Sequence, residues 1–124
     1  MKVNAPQNMH AAFAEAFNAG KIDDLLALYE SDAVLVPQPG QQVVGRSGIR
    51  EALLVFLDLK GRMQIETLSC FQTGDLALLQ ASWRMTATGL DNQPIEFFSH
   101  TAEVVRKQPD GSWLYVIDNA FAAA

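Results

Sequence analysis

The sequence predicts an α+β fold in which three N-terminal helices cover one face of a curved, mainly antiparallel sheet. Two observations predict it. Apolar residues repeat at helical spacing up to Gly61, whereas beyond that residue they alternate with a period of two. Short segments rich in turn formers then separate four long strand candidates, which favours an antiparallel meander.

The first helix is predicted over residues 6–19. Pro6 suits the first turn of a helix, and Met9, Phe13 and Phe17 repeat at helical spacing. Gly20 supplies the left-handed backbone conformation that closes such a helix. The apolar face of this helix therefore needs a packing partner.

A short second helix follows, with Asp23 as its predicted cap and with Leu25, Leu28 and Tyr29 on one face. Asp32 interrupts this pattern before an apolar run at 33–36, which we interpret as the first strand. The sequence of helix end, short helix and strand suggests a cupped pocket.

The third helix is predicted after a loop at 37–42, with Ser47 as its N-cap and an end before Gly61. Its buried stripe consists of Ile49, Leu53, Phe56 and Leu57.

Four further strands are predicted at 63–73, 76–88, 94–107 and 112–120. Alternation in the second of these places Trp83 and Met85 on the inner, apolar row. In the last strand Trp113, Tyr115 and Ile117 alternate with an equally apolar row. Because both sides are apolar, we expect the outer face of the sheet to be covered as well.

Length and charge narrow the functional classes. The 124 residues are expected to form one domain, residues 1–124, and no apolar run approaches the ~20 residues of a membrane span. A net charge of −5 with nine Lys and Arg residues disfavours nucleic-acid binding. The N-terminal stretch is interrupted by polar residues, unlike a secretory signal. We therefore predict a cytoplasmic protein with no nucleic-acid or membrane partner.

Metal and cofactor chemistry is not indicated. Cys70 is alone, which excludes an internal disulfide and a cysteine-rich zinc site. His10 and His100 lie far apart in sequence, and the spacing of His100 and Glu103 on a strand directs them to opposite faces. Glycine-rich phosphate loops and nucleotide fingerprints are absent, so no cofactor is predicted.

Several segments together resemble one family, the SnoaL-like branch of the superfamily of nuclear transport factor 2 and ketosteroid isomerase. They are Phe17-Asn-Ala-Gly, Leu25-Leu-Ala-Leu-Tyr29, Asp32-Ala-Val, Val44-Gly-Arg-Ser-Gly-Ile-Arg-Glu-Ala52 and Pro109-Asp-Gly-Ser-Trp-Leu-Tyr-Val-Ile-Asp-Asn119. The resemblance covers nearly the whole chain. It implies a cone-shaped fold with an internal pocket, but one fold hosts many chemistries.

The resemblance also indicates candidate catalytic acids. In the ketosteroid isomerase branch an enol-stabilising acid lies three residues before an arginine, as Glu103 lies before Arg106 here. Phe13 stands where that branch has its tyrosine and Pro37 where it has its base. Because two of the three groups are missing, steroid-type isomerisation is disfavoured. Past the final turn, the resemblance places Val116 and Asp118 on the pocket side.

Asp118 and Glu103 are therefore the catalytic candidates, although each has an alternative role as a strand-end hydrogen-bonding group or an ion-paired carboxylate. The predicted substrate-binding residues are Phe13, Phe17, Tyr29, Trp83, Met85, Phe97, Ser99 and Val116. For Tyr29 we favour a core tyrosine whose hydroxyl reaches the pocket rim over a catalytic acid, and Trp83 is equally consistent with packing in the core and with contact to a ligand.

The sequence thus predicts a pocket protein that binds a small organic ligand and forms a homodimer through the convex face of the sheet. If it is an enzyme, its polar groups suit isomerase, cyclase or hydratase-like proton transfer on a carbonyl-containing or polycyclic substrate. The alternative is a non-catalytic homodimeric association or accessory domain. An open pocket distinguishes the first class from the second.

Overall fold

Three α-helices and one six-stranded sheet make up residues 2–122, the part of the chain that this computed structural model describes. The helices are α1 (Met9–Asn18), α2 (Ile22–Leu26) and α3 (Gly45–Asp58), and a 3-10 turn (Pro6–Asn8) leads into α1. The strands are β1 (Tyr29–Val36), β2 (Val43–Val44), β3 (Arg62–Thr73), β4 (Leu76–Thr88), β5 (Pro94–Lys107) and β6 (Trp113–Asn119).

The sheet order is β2-β1-β6-β5-β4-β3. The last four strands form the antiparallel meander predicted from the short turns, whereas β1 pairs with β6 in parallel. This parallel pair joins the two halves of the chain, and α1 and α3 then pack over the inner face of the sheet. The predicted α+β architecture is confirmed, with an open rather than a closed sheet.

Helix ends differ from the predictions in two places. Gly20 adopts the expected left-handed conformation, with φ of +69°, after α1. Ser47 does not cap α3, because that helix already begins at Gly45 after an extended Val44. Asp23 likewise lies inside the first turn of α2 and makes no side-chain cap. Both differences place the helix starts upstream of the capping residues that the sequence suggested.

Tyr29 belongs to a strand rather than to the end of the second helix. It opens β1, where it is fully buried and pairs with Tyr115 of β6. The guanidinium of Arg46 donates two hydrogen bonds to the backbone carbonyl of Tyr29, at 2.6 and 3.1 Å. The β1 strand is therefore longer than the run predicted at 33–36, and Tyr29 is its first residue.

Alternation holds along β4 but fails in β6. Trp83 and Met85 face the core as predicted. In β6 the pairing with β5 skips Val116, so that Tyr115 pairs with Val105 and Ile117 with Val104. This bulge inverts the alternation within the strand. Trp113 and Tyr115 are buried inside, contrary to their predicted place on the convex face.

None of the helices in residues 2–122 has both the length and the apolar content that crossing a membrane requires.

Candidate functional site

A small cavity lies between the helices and the inner face of the sheet. Its volume is about 60 Å³, well below the ~300–1,000 Å³ of a pocket that encloses a whole ligand. The wall is largely apolar, and its residues are Phe13, Phe17, Leu35, Pro37, Leu53, Phe56, Met63, Ile65, Trp83, Thr101, Glu103, Asp118, Ala120 and Phe121. The cavity has room for a few small atoms and for the polar end of a longer molecule.

Two carboxyl groups stand side by side at this cavity. Glu103 on β5 and Asp118 on β6 are direct cross-strand partners, and the exposed fractions of the two residues are 3% and 6%. Alternation places Glu103 inward, and the bulge at Val116 turns Asp118 to the same side. Buried acids of like charge are costly unless hydrogen bonds or protons compensate them.

Glu103 is held by two side chains. The Nε2 atom of His10 lies 2.8 Å from Oε2 of Glu103, and the hydroxyl of Thr101 donates to Oε1 at 2.7 Å. On its other side the His10 ring contacts the Thr67 hydroxyl, with 2.7 Å between Nδ1 and Oγ1. Both carboxyl oxygens of Glu103 therefore have partners from the surrounding protein.

Asp118 has a different environment. The Tyr29 hydroxyl donates a hydrogen bond of 2.6 Å to its Oδ2, and its Oδ1 has no hydrogen-bond partner within residues 2–122. Burial raises the pKa of Asp118 to about 7, with a further rise from the charge of Glu103 and opposing contributions from Tyr29 and His10. The pKa of Tyr29 is well above 10, chiefly because of burial, so this phenol keeps its proton. Asp118 thus exchanges a proton near neutral pH.

The cavity continues toward a second, more open depression. This outer groove has a volume of about 480 Å³ and shares Pro37 and Phe56 with the cavity wall. Its lining residues are Pro37, Gln38, Gln41, Val43, Gly48, Glu51, Ala52, Val55, Phe56, Leu59 and Phe97. Pro37 and Phe56 thus line both spaces.

The structure brings some of the predicted site residues to the cavity and separates others. Phe13, Phe17, Trp83, Glu103 and Asp118 lie on its wall. Tyr29 is not on the wall, but its hydroxyl donates to Asp118, which is.

The other four predicted binding residues lie elsewhere. Met85 is buried in the core, and Phe97 lines the outer groove. Ser99 is buried with its hydroxyl 3.3 Å from the backbone carbonyl of His100. Val116 is the extra residue of the bulge and is not on the cavity wall, so its predicted pocket position is wrong.

Sequence reasoning missed His10, Thr67 and Thr101. A signal was available for His10, since it precedes Phe13 by three residues and Phe17 by seven and so shares their helix face. A histidine on a face that must be buried requires a polar partner. That partner, Glu103, is 93 residues away in sequence, and only the folded chain reveals it.

No grouping of three or more His, Cys, Asp or Glu side chains in the described part of the chain is arranged to hold a metal ion. The site is instead a set of paired acids and hydroxyls beside an apolar cavity.

Comparison with known proteins gives the family. A model of the SnoaL-like domain matches residues 10–116, and the chain therefore belongs to the SnoaL-like family, with a nuclear transport factor 2-like fold. No significant relative was found among curated proteins.

Three solved structures illustrate the range of relatives. A candidate calcium/calmodulin-dependent protein kinase type II association domain from Thiobacillus denitrificans is 18% identical, with a TM-score of 0.78 and coverage of 96% of this chain and 95% of the other. A ketosteroid isomerase-like protein from Erwinia carotovora atroseptica is 25% identical, with a TM-score of 0.77 and coverage of 90% and 88%. A candidate dehydratase from Streptomyces avermitilis is 19% identical, with a TM-score of 0.73 and coverage of 90% and 88%.

Proposed function

We propose that this protein binds a small carbonyl-containing molecule and moves a proton next to its carbonyl group, with Asp118 as the acid and base. The observation that carries the proposal is the Asp118 carboxyl, which lies on an apolar cavity wall with one oxygen free of protein partners. A carboxyl with a pKa of about 7 is suited to both accepting and returning a proton at neutral pH.

The shape of the site limits the ligand. A cavity of about 60 Å³ accommodates a carbonyl group and its neighbouring carbons but not a ring system. The remainder of the molecule would pass Pro37 and Phe56 and lie in the outer groove. The proposed ligand is therefore slender, with a polar head and an apolar tail, which favours a carbonyl compound over the polycyclic alternative.

The reaction follows from the residues present. Ionised Asp118 takes a proton from the carbon beside the carbonyl, which leaves an enolate, and the protonated carboxyl then returns that proton to the carbon skeleton. The Thr101 hydroxyl already donates to Glu103, and Phe13 has no donor for the enolate oxygen. Since an oxyanion donor contributes about 2.7–4 kcal/mol, we expect a modest catalyst that does not isomerise steroids at a useful rate.

Hydrogen–deuterium exchange beside the carbonyl of a probe ketone tests the proposed proton transfer by Asp118 directly. The probe is 4-phenyl-2-butanone in D₂O, and proton NMR follows the loss of the hydrogens beside its carbonyl. Asp118→Asn should slow the protein-catalysed exchange by about 100-fold or more, because a positioned base contributes that much. The matched control is Glu96→Gln, which neutralises an exposed carboxylate on the opposite face of β5. Equal exchange by wild type and Asp118→Asn would refute the proposal.

A second candidate is an association domain that dimerises through the convex face of the sheet. Phe71, Leu78, Val104 and Ile117 are successive cross-strand partners there and form a continuous apolar row. Phe71 is 66% exposed and Leu78 is 45% exposed, and such patches commonly mark interfaces. Trp113 and Tyr115, which the sequence predicts on this face, are buried inside and do not contribute to it.

The two candidates are compatible, since the cavity and the row lie on opposite faces. Sedimentation equilibrium at micromolar concentrations tests the dimer, and a monomer throughout that range would exclude it. A cytoplasmic location is part of the same proposal, and fractionation of the source cells tests it.

A further inference from the structure

His10 lies one layer behind the cavity. Its residue surface is 2% exposed, and it does not belong to the cavity wall. The ring sits between the Thr67 hydroxyl and the Glu103 carboxyl, which it contacts through opposite nitrogens. The ring therefore lies behind Glu103 as seen from the cavity, and the hydrogen bond by which His10 acts on the site is the one to Glu103.

The two carboxyls of the cavity are not equivalent. Glu103 has a hydrogen-bond partner at each oxygen, His10 at one and Thr101 at the other, whereas Asp118 accepts a single bond, from Tyr29. Hydrogen bonds donated to a carboxylate favour its ionised form. Two adjacent buried carboxyls cannot both ionise cheaply, so one proton stays with the pair and occupies the carboxyl with fewer donors.

We propose that His10 is a positioning residue that holds Glu103 as the anion, so that the proton shared by the two carboxyls stays on Asp118. Asp118 is the carboxyl with an oxygen open to the cavity, and a proton there can be delivered to a ligand. The use of that proton rests on the proposed function, but its location does not.

The remaining ionisable groups around the pair do not compete for this proton. Tyr29 from β1 and Tyr115 from β6 interact with the acids, and burial keeps the pKa of each phenol well above its ordinary value of 10. Glu103 on β5 and His10 on α1 are the other groups that act on Asp118.

Two substitutions separate the roles of the two ring nitrogens. His10→Gln places an amide donor near the Nε2 position and keeps the bond to Glu103. His10→Asn is shorter, reaches only toward Thr67 and leaves Glu103 without that donor. The readout is carbon NMR of the side-chain carboxyls, assigned with Asp118→Asn and Glu103→Gln and followed through a pH titration.

In the wild type, we expect the Asp118 carboxyl to titrate near its pKa of about 7. In His10→Asn, part of the proton moves to Glu103, and the Asp118 midpoint falls by about one pH unit or more because Glu103 no longer repels its charge. His10→Gln restores the wild-type pattern. An Asp118 midpoint that is the same in all three proteins would overturn the proposal and leave His10 a purely structural role.

One measurement needs no variant, in case a substitution at this buried position prevents folding. Nitrogen NMR of the wild-type imidazole should show a proton on Nε2, the nitrogen that faces Glu103. An Nε2 without a proton overturns the proposal. Neither NMR measurement involves a substrate. If the exchange assay fails but the expected titration pattern is found, the proposed catalysis is refuted and the role of His10 is not.

Discussion

The two faces of strand β5 differ in which kind of side chain they bury. On the inner face Thr101 and Glu103 are buried, whereas on the outer face Phe98 is 55% exposed. In most globular proteins apolar side chains are buried and charged ones are exposed. A buried acid or an exposed aromatic ring is therefore the exception that indicates a function. We interpret the buried acid as part of the proposed proton-transfer site and the exposed aromatic ring as part of the proposed association surface.

The two faces also differ in what stabilises the buried polar side chains on one and the exposed apolar side chains on the other. In the described part of the chain, every side-chain N or O atom that is closed off from solvent has a hydrogen-bond partner, and the Oδ1 of Asp118, which has none, keeps some contact with solvent. The exposed apolar row of Phe71, Leu78 and Ile117 has no such internal compensation. Inner substitutions should therefore affect folding and proton affinity, and outer ones should affect association.

The largest effect is expected from Glu103→Leu. This change leaves His10 and Thr101 facing an apolar side chain, and breaking a buried pair in this way costs about 3–5 kcal/mol. Glu96→Leu is the matched control, since it makes the same replacement on the exposed face of β5 and should change stability by less than about 1 kcal/mol. Urea unfolding measures both. If the two variants lose similar amounts of unfolding free energy, the two faces do not differ as proposed.

A second effect concerns pH. Folding raises the pKa of Asp118 from 3.8 to about 7, so the folded state binds the extra proton and its stabilisation is lost as the pH rises through 7. That difference corresponds to an upper value of roughly 4 kcal/mol. Asp118→Asn keeps an acceptor for Tyr29 without a charge, and it should be more stable than wild type above pH 7 and similar near pH 4. Parallel stability curves would contradict this.

A third effect tests the outer face. Leu78→Lys places a charge in the middle of the apolar row, and because a two-fold interface contains the substitution twice, the dimer dissociation constant should rise about 100-fold. The folded monomer should keep its stability. Leu90→Lys, in the exposed turn between β4 and β5, is the control. Sedimentation velocity distinguishes the two, and an unchanged dimer in Leu78→Lys would place the interface elsewhere.

The smallest effect is expected from Tyr29→Phe. Loss of the bond to Asp118 should cost about 1–2 kcal/mol, and the pKa of Asp118 should rise because that bond favours its ionised form. Tyr115→Phe removes a hydroxyl without a hydrogen-bond partner in residues 2–122 and should cost less. Carbon NMR of Asp118 measures the pKa, and a fall in Tyr29→Phe would show that the phenol is not the donor.

Local pattern was sufficient for much of the fold. The sequence predicted β4 and β5 with their observed bounds, because alternation along a strand is set by the chain itself. It also placed Trp83 on the inner face correctly. Glu103 was assigned to the pocket through a family resemblance, and it is buried on the inner face. Asp118 was assigned to the pocket side through a family resemblance, and the structure places it on the cavity wall.

Other features depend on contacts between distant segments. Trp113 and Tyr115 were assigned to the wrong face because the bulge at Val116 arises from pairing between β5 and β6 and has no local signature. Tyr29 was assigned to a helix because the same short apolar run fits both periods, and parallel pairing with β6 decides for the strand.

The sequence by itself determined the element types and most side-chain orientations, because backbone geometry fixes which residues share a face. Tertiary structure alone decided the chemistry of the site. His10, Glu103 and Asp118 are brought together from α1, β5 and β6, and the proton affinity of Asp118 depends on burial and on a neighbouring charge. Neither burial nor that charge is encoded at position 118, since both are supplied by residues elsewhere in the chain.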